Sequence, residues 1–525
     1  MELPDLRSRE RFWIVTGLFL LVGFALFWKL GSYPLFLEEP RRALIALEMY
    51  LSDNWTVPTQ YGELYHNKPP MWNWVILGAV SLFGEFSEWS VRFFGVVSFL
   101  LMGVIAFWVG DKYVSFSFGL HSAFLVLAMA DALFYLTVVA GEIDLFYSLI
   151  TFSSIILIFF LREKGEYGWM FFLGYATAAV GLLTKGLPSL LFLGITILIA
   201  LWDNHKLKRL WTFGHALGII TFLGIVGWFA WSYHQQHDVS QFLTRLWTES
   251  RDKTNSGGWM KWSVHLVTFP FETLKNILPA GLLVIFALRK GFFDQLRNHR
   301  LIRFAFWVFL INILVYWLSP QTGSRYLYML YPFLIMILLY AYHTDDGQGW
   351  RTLAFKTTGY VVLGVCLLAC ILFPRLTAAY SLDHTVLYAA VAAVGMSVIL
   401  WLYFRYPAWR ILCLVAGFFI VRILFDCSVH QIRATDSPML EAKNRGHQVA
   451  MVAGHEPLYL YRDTGLSRTV AFYATREMGR IITKTEDLKQ QGLYIIREEY
   501  LKGKNYSVYY SFPYKDEMTC VVRFH

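Results

Sequence analysis

Residues 36–84 read FLEEPRRALIALEMYLSDNWTVPTQYGELYHNKPPMWNWVILGAVSLFG, directly after the first long apolar run, Phe12 to Leu30. The stretch sets two adjacent acids, Glu38 and Glu39, two arginines, Arg41 and Arg42, and the triplet Lys68-Pro69-Pro70 beside a lipid surface. Ala43, Leu44, Leu47 and Leu51 recur at helical spacing, which predicts a helix over Glu39 to Leu51 lying on the membrane by its apolar face. Met71 to Phe83 predicts a second helix, too short to span. Such a loop can present carboxylates to an acceptor and a cation to a lipid phosphate. It is the equipment of an enzyme that works on a lipid-linked substrate.

The rest of the chain fits that setting. Its 525 residues are 56% hydrophobic, 18% aromatic and only 16% charged, with mean hydropathy +0.45. Several apolar runs reach the roughly 20 residues needed to cross a bilayer core. A soluble protein would alternate such runs with polar faces, so the class is an all-α polytopic membrane protein. Phe12 to Leu30 is too long for a signal-peptide core and lacks a small-residue cleavage site, so it reads as a retained first helix. Spans are predicted near 12–30, 90–110, 115–137, 145–161, 168–184, 187–202, 211–232, 270–288, 301–319, 326–343, 357–374, 384–404 and 408–426. That is about thirteen transmembrane helices.

Basic clusters such as Arg7, Arg9 and Arg11, or Lys206, Lys208 and Arg209, fall in alternate short connections. By the positive-inside rule they mark the cytoplasmic face of an inner membrane, with the N-terminus inside and the C-terminus outside. The net charge of +9 is therefore topological and points to no nucleic-acid partner. Four of the five cysteines lie in or beside apolar spans and Cys520 far away, which makes neither a disulfide framework nor a zinc site. The chain divides into a membrane domain, 1–428, with outer loops at about 31–89 and 233–269, and a soluble extracytoplasmic domain, 429–525. The latter mixes short apolar runs with a candidate helix near Thr485 to Gln491, and reads as a small α/β fold.

Under this topology the residues able to do chemistry share one face. Glu38 can take a proton from an acceptor, raising its nucleophilicity; the plain alternative for it and Glu39 is a dipole-favoured helix start. Arg41 and Arg42 suit the acids or lipid phosphates. Lys68, held by two prolines, suits a phosphate, with ordinary snorkelling as its alternative. Glu142 and Asp144 stand at an outer helix end, where acids are costly unless they face a cavity or a partner. Lys185 interrupts two apolar runs ahead of Gly186 and Pro188, and Arg325-Tyr326 offers a cation and a hydroxyl at another outer end. Scattered interfacial anchors would occupy both faces.

These motifs resemble the C-type (GT-C) glycosyltransferases that use polyprenyl-phosphate sugars, especially the bacterial lipid A aminoarabinose transferases and the related protein O-mannosyltransferases. Their first loop reads Asp-Glu-x-Arg-Tyr-Ala, Glu-Met, Gly-Asp-Trp and Lys-Pro-Pro with a downstream Trp. Here stand Glu38-Glu39-Pro40-Arg41-Arg42-Ala43, Glu48-Met49, Asp53-Asn54-Trp55, Lys68-Pro69-Pro70 and Trp72-Asn73-Trp74, followed by Phe83-Gly84, Val91-Arg92, Asp144, Lys185-Gly186 and Arg325-Tyr326. Glu38 replaces the usual leading Asp, and Asn67 replaces the Glu before Lys-Pro in the aminoarabinose transferases.

The resemblance implies a polyprenyl-phosphate sugar donor and a lipid, glycan or protein acceptor such as lipid A. Glu38 and Asp144 would be catalytic. Lys68, Lys185, Arg251, Arg325 and Tyr326 would hold the donor phosphate, with Glu39, Arg41 and Glu142 supporting. Because the donor is already activated, it implies no required cofactor and assigns no metal site. Two rivals compete. A transporter would gather charge near the bilayer midplane in repeated halves, and no repeat is visible. A scaffold leaves the Glu-Glu and Lys-Pro-Pro loop unexplained.

Overall fold

The computed structural model describes residues 8–135, 138–252, 258–378, 382–435, 437–488 and 491–525. Among them, ten helices are long and apolar enough to cross a bilayer. An eleventh is counted if the pair Trp259–Asn276 and Ala280–Ala287, bent by 111°, is one broken span. The chain is a multi-pass membrane protein. The estimate of about thirteen full spans is not matched by that count. The segments expected at 187–202 and 326–343 are helices of 16 and 13 residues, Pro188–Asp203 and Tyr331–His343. In both, proline in the first turn fixes the start and shortens the helix, which hydropathy alone does not register. The outer loop expected at 233–269 holds its own helix, Val239–Asp252, before Trp259–Asn276 begins.

Helix α1, Ser8–Phe27, leads into the loop that carries α2, Glu39–Leu51, and α3, Met71–Phe83, before α4, Glu88–Tyr113. Pro40 sits in the first turn of α2, and Gly84 closes α3 in the left-handed conformation (φ +81°) that a Cβ would disfavour. Strands β1, Thr59–Gln60, and β2, Glu63–Leu64, form a small hairpin between the helices. The buried Glu48 carboxylate of α2 organises it, accepting from Thr59 Oγ1 (2.8 Å), Tyr61 N (2.7 Å) and Gly62 N (3.2 Å). Contrary to the expected interfacial placement, α2 is buried nearly all round, from Glu39 to Met49 apart from Arg41. Protein, not lipid, covers its apolar face.

That cover is the C-terminal unit. Beyond the long helix Arg410–Thr435 the chain runs through helix Pro438–Ala453, β3 (Leu458–Tyr461), helix Arg468–Met478, β4 (Thr483–Thr485), β5 (Leu493–Arg497), β6 (Tyr506–Tyr514) and β7 (Glu517–Phe524). The sheet order is β4-β3-β5-β7-β6, with β3 parallel to β4 and β5 and the other pairs antiparallel. No helix starts at Thr485, which ends β4; Glu486 to Leu488 are not helical, and 489–490 lie outside the described residues. The unit's second helix is instead Arg468–Met478, whose run Val470 to Tyr473 is too short for periodicity to separate helix from strand.

Leu44, Leu47 and Trp72 of the loop share one apolar core with Val470, Phe472 and Val521 of the C-terminal unit. Polar ties frame it. The Tyr473 hydroxyl accepts from Leu35 N (3.0 Å) and donates to Glu88 (2.8 Å), and Lys443 pairs with Glu88 at 2.7 Å. Tyr61 OH donates to Leu466 O (3.0 Å), and Lys484 N donates to Tyr61 O (3.0 Å). Deleting residues 438–525 uncovers this core, and each large apolar side chain returned to water forfeits about 1.5–3 kcal/mol. The expected outcome is a lowered melting midpoint in detergent and loss of the monodisperse peak on size exclusion. An unchanged midpoint would contradict the shared core.

Candidate functional site

Adjacent acids at the start of α2 lie on different faces, because successive helical residues are turned by about 100°. Glu39 is fully buried and receives the Arg92 guanidinium as a fork, Nε at 2.8 Å and Nη2 at 2.9 Å. It also accepts from Phe36 N (2.9 Å) and Gly141 N (2.6 Å). Arg92 spends its remaining donors on the carbonyls of Leu30, Tyr33 and Pro34 at 2.7–3.0 Å and lies 3.9 Å over the Tyr33 ring. This pair ties the loop to α4 and to the segment before helix Ile143–Lys164. Glu38 lies on another face, with its side chain 34% exposed, paired with Arg41 one turn on and 3.6 Å from Arg468 Nη1.

The segment fixed by Glu39 opens helix Ile143–Lys164, with Glu142 as its N-cap residue and Asp144 in its first turn. Lys185, ending helix Tyr167–Lys185, hydrogen-bonds to Asp144. Arg325, in the short 3-10 turn Ser324–Leu327, pairs with Glu142 and stands 3.8 Å from Asp144. The Lys185 ammonium lies 4.3 Å from the centre of the Tyr326 ring and 5.2 Å from that of Tyr147. Five expected residues, Glu142, Asp144, Lys185, Arg325 and Tyr326, thus converge. At the opposite end of the same 22-residue helix, Arg162 pairs with Asp203 (2.8 Å), which also takes Arg303 (2.6 Å). Helix Ile143–Lys164 therefore separates the acid–cation cluster from the basic connections by about 33 Å.

Burial pushes Glu142 up to about 7, with Arg325 opposing and the Asp144 and Glu39 carboxylates adding. Burial also works against the charge on Arg325, but Asp144 and Glu142 outweigh it and hold that group above its ordinary range. A carboxyl raised from 4.5 binds its proton more tightly in the folded protein. Its stabilising contribution is present below about 4.5 and is lost as pH rises through about 7. Glu142→Gln is therefore expected to gain stability relative to wild type between pH 5 and 8, and to remove a step near pH 7 from the pH–rate profile. A step that persists unchanged in the variant would assign it elsewhere.

Lys68 lies half-buried in the turn before α3, next to His66 and Asn67. His66 Nδ1 is 3.1 Å from Tyr233 OH, and Asn67 accepts from Arg245 Nε (3.1 Å) of helix Val239–Asp252. Arg251 falls in the last turn of that helix, and its side chain lies outside the described residues. Two cavities lie near these groups, and the two arginines that face Glu38, Arg41 and Arg468, both line the first. One, of about 650 Å³, is lined by Arg41, Tyr65, His66, Asn67, Arg245 and Arg468. The other, of about 500 Å³, is lined by Leu37, Glu142, Glu272, Lys275, Asn276 and Arg325.

Arg468 and His66 carried no signal in the sequence. Arg92 carried one, a charge entering an apolar span, which demands a buried partner. Among the described residues no group of three or more His, Cys, Asp or Glu side chains is placed to hold a metal ion, and the five cysteines are unpaired.

Residues 67–231 match the family described as dolichyl-phosphate-mannose-protein mannosyltransferase. The crystal structure of ArnT from Cupriavidus metallidurans bound to undecaprenyl phosphate superposes with a TM-score of 0.71 at 17% identity, over 97% of this chain and 98% of that one. The two chains share one fold. An undecaprenyl phosphate-alpha-4-amino-4-deoxy-L-arabinose arabinosyl transferase of Proteus mirabilis is 30% identical over 204 residues, 37% of this chain. The match spans 36% of that relative's length. A transferase of the same description from Erwinia tasmaniensis is 24% identical over 399 residues, 72% of this chain and 68% of its own. The resemblance to the C-type enzymes is borne out. The matched family segment begins at 67, so the Glu38-Glu39 pair lies ahead of it.

Proposed function

We propose that this protein is an integral-membrane glycosyltransferase that moves a sugar from a polyprenyl-phosphate donor to a lipid, glycan or protein acceptor on the extracytoplasmic face. The observation that carries the reading is the setting of Glu38: a partly exposed carboxylate held by Arg41 and facing Arg468, two cations that line a cavity of about 650 Å³. The N-terminus is assigned to the cytoplasm and the C-terminal unit, 429–525, to the outside, because the basic connections gather at the end of the bundle away from the acids. The names of the relatives favour an undecaprenyl-phosphate pentose as donor. Lipid A is the acceptor class that the family resemblance favours.

In this reading Glu38 takes the proton from the acceptor as its oxygen attacks the sugar C1. The C1–O bond to phosphate breaks, and polyprenyl phosphate leaves with an extra negative charge. Lys68, Lys185, Arg251, Arg325 and Tyr326 stabilise that charge where it develops. Asp144 and Glu142 hold Lys185 and Arg325 in position until phosphate competes for them. Arg41 orients Glu38, and Glu39 anchors the backbone on which it stands. The reading assigns no step to a metal or a nucleotide sugar.

The test is reconstitution of the full chain in liposomes with labelled polyprenyl-phosphate sugars and envelope acceptors. Label transfer with matching release of polyprenyl phosphate is expected. Solute uptake without transfer from any donor would replace the proposal with a transporter.

A further inference from the structure

The cavity beside Glu38 is built partly from the C-terminal unit, and its charged lining among the described residues is basic. Among the described residues Arg41, Arg245, Arg468 and His66 contribute to it and no carboxylate does; the remainder includes amides and hydroxyls such as Gln60, Gln241 and Thr244. A pocket of about 650 Å³ with that lining suits an oxyanion carried by a polar group. The existing carboxylate does not fill it. Glu38 is engaged by Arg41 and reaches Arg468 only at 3.6 Å, beyond hydrogen-bond distance. Burial presses Arg41 below its ordinary value, with Arg42 and Arg468 adding to it against Tyr65 and Glu38.

Arg468 is well placed to act. Its side chain is 43% exposed, and the residue opens helix Arg468–Met478, whose N-terminal end favours negative charge nearby. The frame behind it is fixed without its help, by Tyr61 OH on Leu466 O (3.0 Å) and by Tyr473 between Leu35 and Glu88. We infer that Arg468 gives the C-terminal unit a direct part in the reaction, by reading a phosphate-class group of a substrate bound beside Glu38. This rests on the transferase reading for its context, but not for its chemistry. The phosphate-class group belongs either to the donor or to the acceptor.

Arg468→Gln and Arg468→Lys in the full-length, detergent-purified protein test it. Loss of a charge-assisted hydrogen bond is expected to raise the KM of one substrate about 10- to 100-fold, with a smaller change in kcat and partial recovery in the lysine variant. A rise confined to the polyprenyl-phosphate sugar assigns the group to the donor; a rise confined to the acceptor assigns it there. Inorganic phosphate, titrated calorimetrically, is expected to bind wild type and to bind Arg468→Gln correspondingly more weakly.

Unchanged KM values with unchanged phosphate binding would overturn the inference while leaving the transferase reading intact. So would a lysine variant as impaired as the glutamine one, if both melt at lower temperature, since that pattern marks a structural arginine. Phosphate binding that depends on Arg468 in a protein without transfer activity would do the reverse: the site would stand and the transferase reading would fall.

Discussion

Arg92→Met is expected to destabilise the protein by about 3–5 kcal/mol, the cost of removing one partner from a fully buried ion pair. The substitution leaves the Glu39 carboxylate without its fork and strips the donors from the carbonyls of Leu30, Tyr33 and Pro34. None of these groups can turn to water, because Arg92 and Glu39 are both 0% exposed. Thermal unfolding in detergent, followed by tryptophan fluorescence, reads the loss directly. Adding Glu39→Gln to Arg92→Met should restore part of it, since the stranded charge is then gone. A single variant within about 1 kcal/mol of wild type would reduce the pair to an ordinary surface contact.

Glu38→Gln is expected to do the opposite. It should lower the turnover number about 10²- to 10⁴-fold, the range for loss of a general base, while barely moving the melting midpoint. The carboxylate is partly exposed and its pairs with Arg41 and Arg468 lie at a cavity wall, where ion pairs contribute about 0–1 kcal/mol. Donor binding should survive, because no donor-phosphate cation has been touched. The contrast between neighbours is informative: Glu39→Gln should cost stability first, and Glu38→Gln activity first. If both lose stability and neither loses turnover specifically, the division of labour between the two acids is wrong.

The helices Glu39–Leu51 and Met71–Phe83 were legible to the residue, because local chemistry marks their ends: proline in the first turn of one, a left-handed glycine after the other. What covers them was not legible. The partner of α2 is a helix more than 400 residues further along, and an apolar face looks the same whether lipid or protein meets it. Likewise the gathering of Glu142, Asp144, Lys185, Arg325 and Tyr326 at one end of the bundle followed from where charges interrupt apolar runs. Their pairing, Lys185 with Asp144 and Arg325 with Glu142, required the folded bundle. Glu39 shows the same limit: its sequence neighbours suggest a helix-start acid, whereas its partner, Arg92, arrives from another helix. The helices Pro188–Asp203 and Tyr331–His343 are shorter than a typical full span, which hydropathy misses because it measures composition and not helix length.

The most direct test of the account is a single-turnover experiment with the reconstituted protein, limiting labelled polyprenyl-phosphate sugar and saturating acceptor, comparing wild type with Glu38→Gln. The account predicts rapid, stoichiometric release of polyprenyl phosphate and label transfer by wild type. It also predicts a variant that binds the donor as well but transfers at least about 10²-fold more slowly. Transfer by Glu38→Gln at the wild-type rate would contradict it.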